Sequence, residues 1–330
     1  MAAKANSEMM APWQQEVLDK TLAIAAEGRL GHALCLVGPE KMGKLDVAQQ
    51  LARALLCQSP RENKSACGEC RSCGFIKAGT HPDFLDITYE ANEKTGKLYT
   101  NIVIDQIRRL SQWFSLTPQF GGAQVAVVHP ADGMNYAACN ALLKTLEEPS
   151  QNRFLILVTD RPSALPATIR SRCQRILFRL PEPSQSLDWL KQRGYAADIA
   201  SPALGAARGH PGLALDWLEH GGLQMRREVQ ADMNAVAANK MSPIELAQRW
   251  LADEQADLRL QFAADLSLEA AGQTLGLPKL VKSGLTAPPD FMKLSQWYDA
   301  LNRVRSQLDS PIRSDLLLAG LLREWRSMQH

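Results

Sequence analysis

Five short apolar runs, the first four separated from one another by stretches with helical spacing, occupy roughly the first 180 residues. They lie at 32–38 (HALCLVG), 83–88 (DFLDIT), 124–130 (QVAVVHP), 154–160 (FLILVTD) and 175–181 (RILFRLP). Helical periodicity fills 12–30, 44–58, 103–115 and 136–148. Strands that alternate with helices and are rich in Val, Ile and Leu need cover on both faces, which predicts a parallel sheet in an α/β domain.

After LPEPS (180–184) the strand signals stop. Residues 185–220 read as short helices with Gly205, Gly209 and Gly212 as breaks, and from about 222 the chain reads as helical throughout. SPIELAQRWL opens with Ser242 as N-cap, Pro243 at the first helical position and Glu245 placed to close a capping box. SPIRSDLLLAGLLREW repeats the Ser-Pro start at Ser310 and Pro311, and its leucines lie nearly all round, predicting a helix buried among others. TAPPD (286–290) reads as a loop. The expected organisation is an α/β domain over 1–180, a small helical domain over 181–221 and an all-α domain over 222–330.

A composition of 45% hydrophobic and 22% charged residues is that of a globular protein, with no apolar run of bilayer-spanning length and no leader-like start. A cytoplasmic location is expected. The net charge of +2 argues against a chain that gathers nucleic acid by bulk electrostatics.

GPEKMGKL (38–45) nearly completes a phosphate-binding loop, G-x-x-x-x-G-K-[ST], in the required strand–turn–helix setting. Gly38, Gly43 and Lys44 are in place, but Leu45 stands where a hydroxyl should ligate Mg²⁺. A working site also needs carboxylates ending a neighbouring strand. Here VAVV is followed by His129 and Pro130, and Asp132 comes too late to replace them. Both metal-holding parts are missing, so hydrolysis by this chain is not expected. Two readings of the loop stay open: weak nucleotide binding through Lys44 and the loop amides, or a tight turn with a solvated lysine.

Seven cysteines in a chain expected to be cytoplasmic argue against a disulfide framework. Four cluster as Cys57-x9-Cys67-x2-Cys70-x2-Cys73, the spacing of a closed four-thiolate structural zinc site, with Gly68 and Gly74 easing the backbone. Redox use of the Cys-x2-Cys pairs is the alternative. Cys35, Cys139 and Cys173 read as small buried residues, and His129 stands too far from the cluster to join it.

NALLKTLEEP (140–149) and LPATIRSRC (165–173), together with the cysteine module after the P-loop helix, resemble subunits of the bacterial replicative clamp loader. This is an AAA+ assembly of the DNA polymerase III holoenzyme. The resemblance covers most of 12–215. It implies an α/β AAA+ (P-loop NTPase-like) domain with an inserted zinc module, followed by a helical lid and an all-α C-terminal collar for oligomerisation. It implies gamma/tau and delta subunits as partners, the sliding clamp and primed DNA as indirect ones, and ATP only at a neighbouring subunit.

Within that resemblance Arg172 corresponds to the arginine that reaches in trans to a neighbour's ATP. A guanidinium, always charged and rigidly forked, is suited to charge developing on a phosphoryl group. Arg170 and Arg175 read as surface arginines. Thr159 corresponds to the sensor of the γ-phosphate, and Gly212 stands where hydrolysing subunits carry a sensing arginine. In 140–149, Leu142, Leu143 and Leu146 form an apolar stripe, while Lys144, Glu147 and Glu148 face outward.

Three functions fit these residues. The first is a non-hydrolysing loader subunit that lends Arg172 to its neighbour. The second is a gamma-like ATPase that tolerates Leu45, and the third a zinc-dependent nucleic-acid-binding protein.

Overall fold

The computed structural model describes residues 10–91, 96, 99–148, 150–275, 283–286, 290–308 and 313–328. Its described residues pack as two compact units. One runs to Tyr195 and includes His210–Gly212; the other comprises Ala196–Gly209 and the residues from Leu213 onward.

The first unit is built on a five-stranded sheet of β1 (Ala33–Val37), β2 (Phe84–Ile87), β3 (Gln124–Val128), β4 (Arg153–Thr159) and β5 (Gln174–Leu177), in the order β2-β3-β4-β1-β5. Every pairing is parallel, as the Val/Ile/Leu-rich runs require. All residues of β1 and β3 are buried. The helices are α1 (Pro12–Ala26), α2 (Lys44–Leu56), α3 (Arg71–Lys77), α4 (Ile104–Phe114), α5 (Tyr136–Glu147), α6 (Ala167–Arg170) and α7 (Pro183–Gln192). Helix α4 turns Ile107, Leu110 and Phe114 into the core, and α5 turns in Ala138, Cys139, Leu142 and Leu146. These are helical spacings, and they lay both helices against the sheet residues Cys35, Val37, Ala126, Val128, Leu155 and Leu157. Asn135 caps α5 by accepting the Ala138 N–H at 2.8 Å. The register pairs Val37 with Thr159, so the ends of β1, β3 and β4 converge where a P-loop NTPase-like fold holds its ligand.

The second unit is helical: α8 (Ala197–Ala206), α9 (Pro211–Glu219, from Leu213 onward), α10 (Gly222–Ala237), α11 (Pro243–Leu251), α12 (Ala256–Thr274), α13 (Phe291–Arg305) and α14 (Ser314–Ser327). Its core holds Trp250, Trp297, Trp325 and Phe262, all fully buried. Burial of an indole leaves its N–H in need of an acceptor. Trp297 donates to the Leu321 carbonyl at 2.8 Å, Trp325 to Met233 at 3.2 Å and Trp250 to Asp232 at 2.9 Å. No helix among the described residues is long and apolar enough to cross a membrane.

Several local expectations change. Gly205 lies within α8 and Gly212 in the first turn of α9; only Gly209, with φ of 82°, sits between helices. Pro243 does open α11, but Ser242 makes no side-chain cap bond and the capping box does not form. The fixed φ of proline is enough to start the turn. Helix α14 is amphipathic rather than buried all round: Leu318, Leu322 and Trp325 face inward, while Leu316 and Leu317 are exposed. Five leucines in the seven positions 316–322 must include some on the outer face of a helix packed on one side. Ser310, Pro311 and most of the 286–290 loop lie outside the described residues.

Candidate functional site

The end of β1 leads through 38–43 into α2, with Lys41 (φ 54°) and Gly43 (φ 75°) left-handed, so the loop keeps the bends of a phosphate cradle. At Gly43 the left-handed φ favours glycine, and a Cβ there would fall 1.4 Å from Gln14 Nε2, so the Gln14 side chain would have to move. Gln14 and Trp13 of α1 brace the loop from outside, both donating to the Met42 carbonyl at 3.3 and 3.2 Å.

Lys44 is buried, and its ammonium faces inward. It donates to the carbonyls of Gly38, at 2.9 Å, and Pro39, and pairs with Asp160 Oδ1 at 2.5 Å. Of the two readings left by the sequence, the solvated lysine is therefore wrong. The low-dielectric end of the sheet penalises an unpaired ammonium, and the loop supplies its partners. A cavity of about 280 Å³ remains, lined by Leu45, His129, Pro130, Thr159 and Asp160 among others. Leu45 presents an alkyl chain where a hydroxyl would hold Mg²⁺.

Thr159 and the residues that follow β3 are also engaged with protein groups. Thr159 donates its hydroxyl to Asp132 Oδ1 at 2.7 Å, and Arg161 Nε holds Asp132 Oδ2 at 2.9 Å. Asp132 is thus committed to protein groups. His129 Nε2 lies 2.9 Å from Asp86 Oδ1, close enough for an ion pair but off the line of a hydrogen bond. Gly212 packs on the loop itself, where a Cβ would stand 1.9 Å from the Lys41 carbonyl oxygen. The neighbouring His210 is buried, and burial lowers its pKa against the opposing pull of its backbone bond with Glu40.

The four cysteines converge. Cys57 caps the end of α2, and the segment that follows returns through Gly68 (φ 84°) to Cys70, the N-cap of α3. Gly74 lies inside α3 and relieves no turn. The Sγ separations are 3.6 Å (57–67), 3.8 Å (57–70), 3.7 Å (57–73) and 3.9 Å (67–73). A tetrahedron with Zn–S bonds of about 2.3 Å has S···S edges of about 3.8 Å. The cluster fits a zinc ion, and its separations are far from the S–S bond of about 2.05 Å that redox pairing would form.

Backbone N–H groups of Glu69 and Cys70 point at Cys67 Sγ (3.4 and 3.2 Å), and that of Cys73 at Cys70 Sγ (3.5 Å). Such donors stabilise thiolates. The Glu69 and Cys70 amides lower the Cys67 pKa; at Cys70 burial opposes, but the amides bring it to about 6. Cys35 and Cys139 are buried as expected, Cys173 is half-buried against the core, and burial raises all three thiol pKa values.

A buried support under the cluster was not legible in the sequence. Asp83 N–H donates to His81 Nδ1 at 3.0 Å, which leaves Nε2 as the protonated nitrogen, 2.8 Å from Ser72 Oγ. Ser72 in turn donates to the Leu56 carbonyl at 2.6 Å. The chain Asp83–His81–Ser72–Leu56 ties α3 to the end of α2 and to the start of β2.

Arg172 follows α6. Its Nη2 lies 2.8 Å from Glu147 Oε1, and Nη1 donates to the Thr168 carbonyl at 2.9 Å. Arg170 is half-buried rather than on the surface, while Arg175 is exposed. On α5 and at its C-cap, Lys144, Glu147 and Glu148 are exposed, and Leu142 and Leu146 lie in the core with Leu143 packed against it.

A family model described as DNA polymerase III, delta subunit, matches residues 13–182. The chain is 35% identical over 241 residues to DNA polymerase III subunit delta′ of Pseudomonas aeruginosa, covering 72% of this chain and 70% of that protein. It is 35% identical over 262 residues to subunit delta′ of Escherichia coli, covering 78% and 75%. To subunit delta′ of Haemophilus influenzae it is 30% identical over 308 residues, covering 90% of each. With a parallel sheet that carries an incomplete phosphate loop and a four-cysteine module at its flank, the chain belongs to the DNA polymerase III delta′ subunit family.

Proposed function

We propose that this chain is a cytoplasmic, non-hydrolysing subunit of the DNA polymerase III clamp loader. It assembles with gamma/tau and delta subunits, and acts through them on the sliding clamp and primed DNA. In this reading 1–180 is the AAA+ domain, 181–221 the lid and 222–330 the collar through which subunits associate. Cys57, Cys67, Cys70 and Cys73 hold one structural zinc ion. Arg172 serves a neighbouring subunit's ATP in trans, while Gly38, Gly43 and Lys44 form a loop that does not turn over nucleotide.

The observation that carries the reading is the loss of both metal-holding parts at one site. Leu45 has no hydroxyl, and the end of β3 offers His129 and Pro130 instead of carboxylates. Phosphoryl transfer depends on the metal to neutralise developing charge, so the cis site is catalytically silent. In support of the trans role, Arg172 sits on a short exposed segment between α6 and β5 with its guanidinium partly open to solvent.

Two assays test this. The purified chain is expected to show no ATP turnover above background. A loader reconstituted with it is expected to form a defined complex whose DNA- and clamp-stimulated ATPase depends on its presence. Turnover by the isolated chain overturns the reading.

A further inference from the structure

We propose that Asp160 acts as an internal substitute for phosphate, holding Lys44 so that the degenerate loop is closed to anions. An ammonium has three N–H donors. In Lys44 they go to the Gly38 carbonyl, the Pro39 carbonyl and Asp160 Oδ1, with only 3% of the side chain exposed. No donor is left for a ligand, and the charge that would attract one is already neutralised.

The placement of Asp160 follows from the sheet. It comes immediately after Thr159, which pairs with Val37 in the register of β4 and β1. This brings its carboxylate beside the loop that leaves β1. Both residues line the 280 Å³ cavity, the Asp160 side chain 46% exposed and that of Lys44 buried. A phosphate entering the cavity would have to displace Asp160 from an ion pair with a buried partner. It would also have to turn Lys44 away from two carbonyls that then lose their donor. The cradle bends at Lys41 and Gly43 persist, so the anion-binding shape survives with the anion supplied by the chain itself.

This inference rests on the reading of the loop as catalytically silent, and the two fail separately. ATP turnover by the wild-type chain sinks the silent site, whereas binding without turnover sinks the lock alone. The probes are inorganic tripolyphosphate and ATP, each titrated without Mg²⁺ by calorimetry into the full-length chain. Wild type is expected to show no saturable binding through the millimolar range. Asp160→Ala frees the ammonium and is expected to bind tripolyphosphate at least ~10-fold more tightly than wild type, a change of about 1.4 kcal/mol. Asp160→Asn removes the charge but keeps an acceptor, and is expected to fall between them. The double variant Lys44→Ala/Asp160→Ala is expected to lose the gained binding. Metal content and thermal unfolding verify that each variant is folded. Wild type binding as tightly as Asp160→Ala overturns the lock, and so does a folded Asp160→Ala that remains silent.

Discussion

Glu147, in the last turn of α5, holds Arg172 by a single 2.8 Å contact between its Oε1 and the arginine Nη2. Both side chains are substantially exposed, so the pair contributes under about 1 kcal/mol to stability. A pair this weak orients the guanidinium near the end of α5 without committing it to Glu147.

Arg172→Ala in the reconstituted loader is therefore expected to lower stimulated ATPase at least ~10-fold while leaving assembly intact, since fingers supplied in trans are worth orders of magnitude in rate. Arg172→Lys is expected to restore little, because an ammonium lacks the planar fork. Steady-state ATPase and size-exclusion chromatography on the same preparations check both. An unchanged rate removes Arg172 from the mechanism.

Metal analysis of the purified chain is expected to give one zinc ion per chain. Cys57→Ser is expected to lose it and to lower the unfolding temperature, because ligand convergence is coupled to folding of the segment between α2 and α3. A full-length protein with no zinc and unchanged stability returns the cysteines to a packing role.

Arg226 and Glu269 form a buried pair within the second unit, with one guanidinium nitrogen at 2.7 and 2.6 Å from the two carboxylate oxygens. Burial raises the Glu269 pKa, and the bond to Arg226 only partly offsets it. Glu269→Ala leaves a buried cation unpaired and is expected to cost about 3–5 kcal/mol, whereas the double change Arg226→Met/Glu269→Leu is expected to be near neutral. Denaturant unfolding of the three variants measures the difference.

Gly212→Arg places a side chain where the Lys41 carbonyl leaves no room for a Cβ. The expected result is a loss of about 1–3 kcal/mol by overpacking, with no gain of nucleotide binding or turnover. Thermal unfolding and ATP titration report on each half of that statement.

His210 has a folded-state pKa below its unfolded value, so the unfolded chain binds the extra proton first. Its contribution to stability is complete above about pH 6.5 and is lost as pH falls through the lowered folded value. Unfolding measured from pH 7.5 downward is expected to show this slope, and His210→Gln is expected to flatten it.

The order of strands and helices was legible in the sequence because apolar runs of period and length suited to buried strands leave few alternatives. The cysteine cluster was equally plain, since thiol spacing alone brings the knuckles together. Pairings formed across long separations were not legible. Lys44 with Asp160, Thr159 with Asp132 and Gly212 with Lys41 join residues far apart in the chain, and the first two depend on the order and register of the strands. The buried Ser72–His81 link was hidden for another reason: it is short in sequence, but neither residue belongs to a periodic pattern. The exposed leucines of α14 show the limit of composition, which counts apolar residues without saying which side of a helix a neighbour covers.

The clasp of Asp132 by Thr159 and Arg161 limits what any single substitution can achieve. A hydroxyl introduced at 45 would still face a committed carboxylate after β3 and a lysine already held by Asp160, so one replacement on its own is not expected to produce turnover.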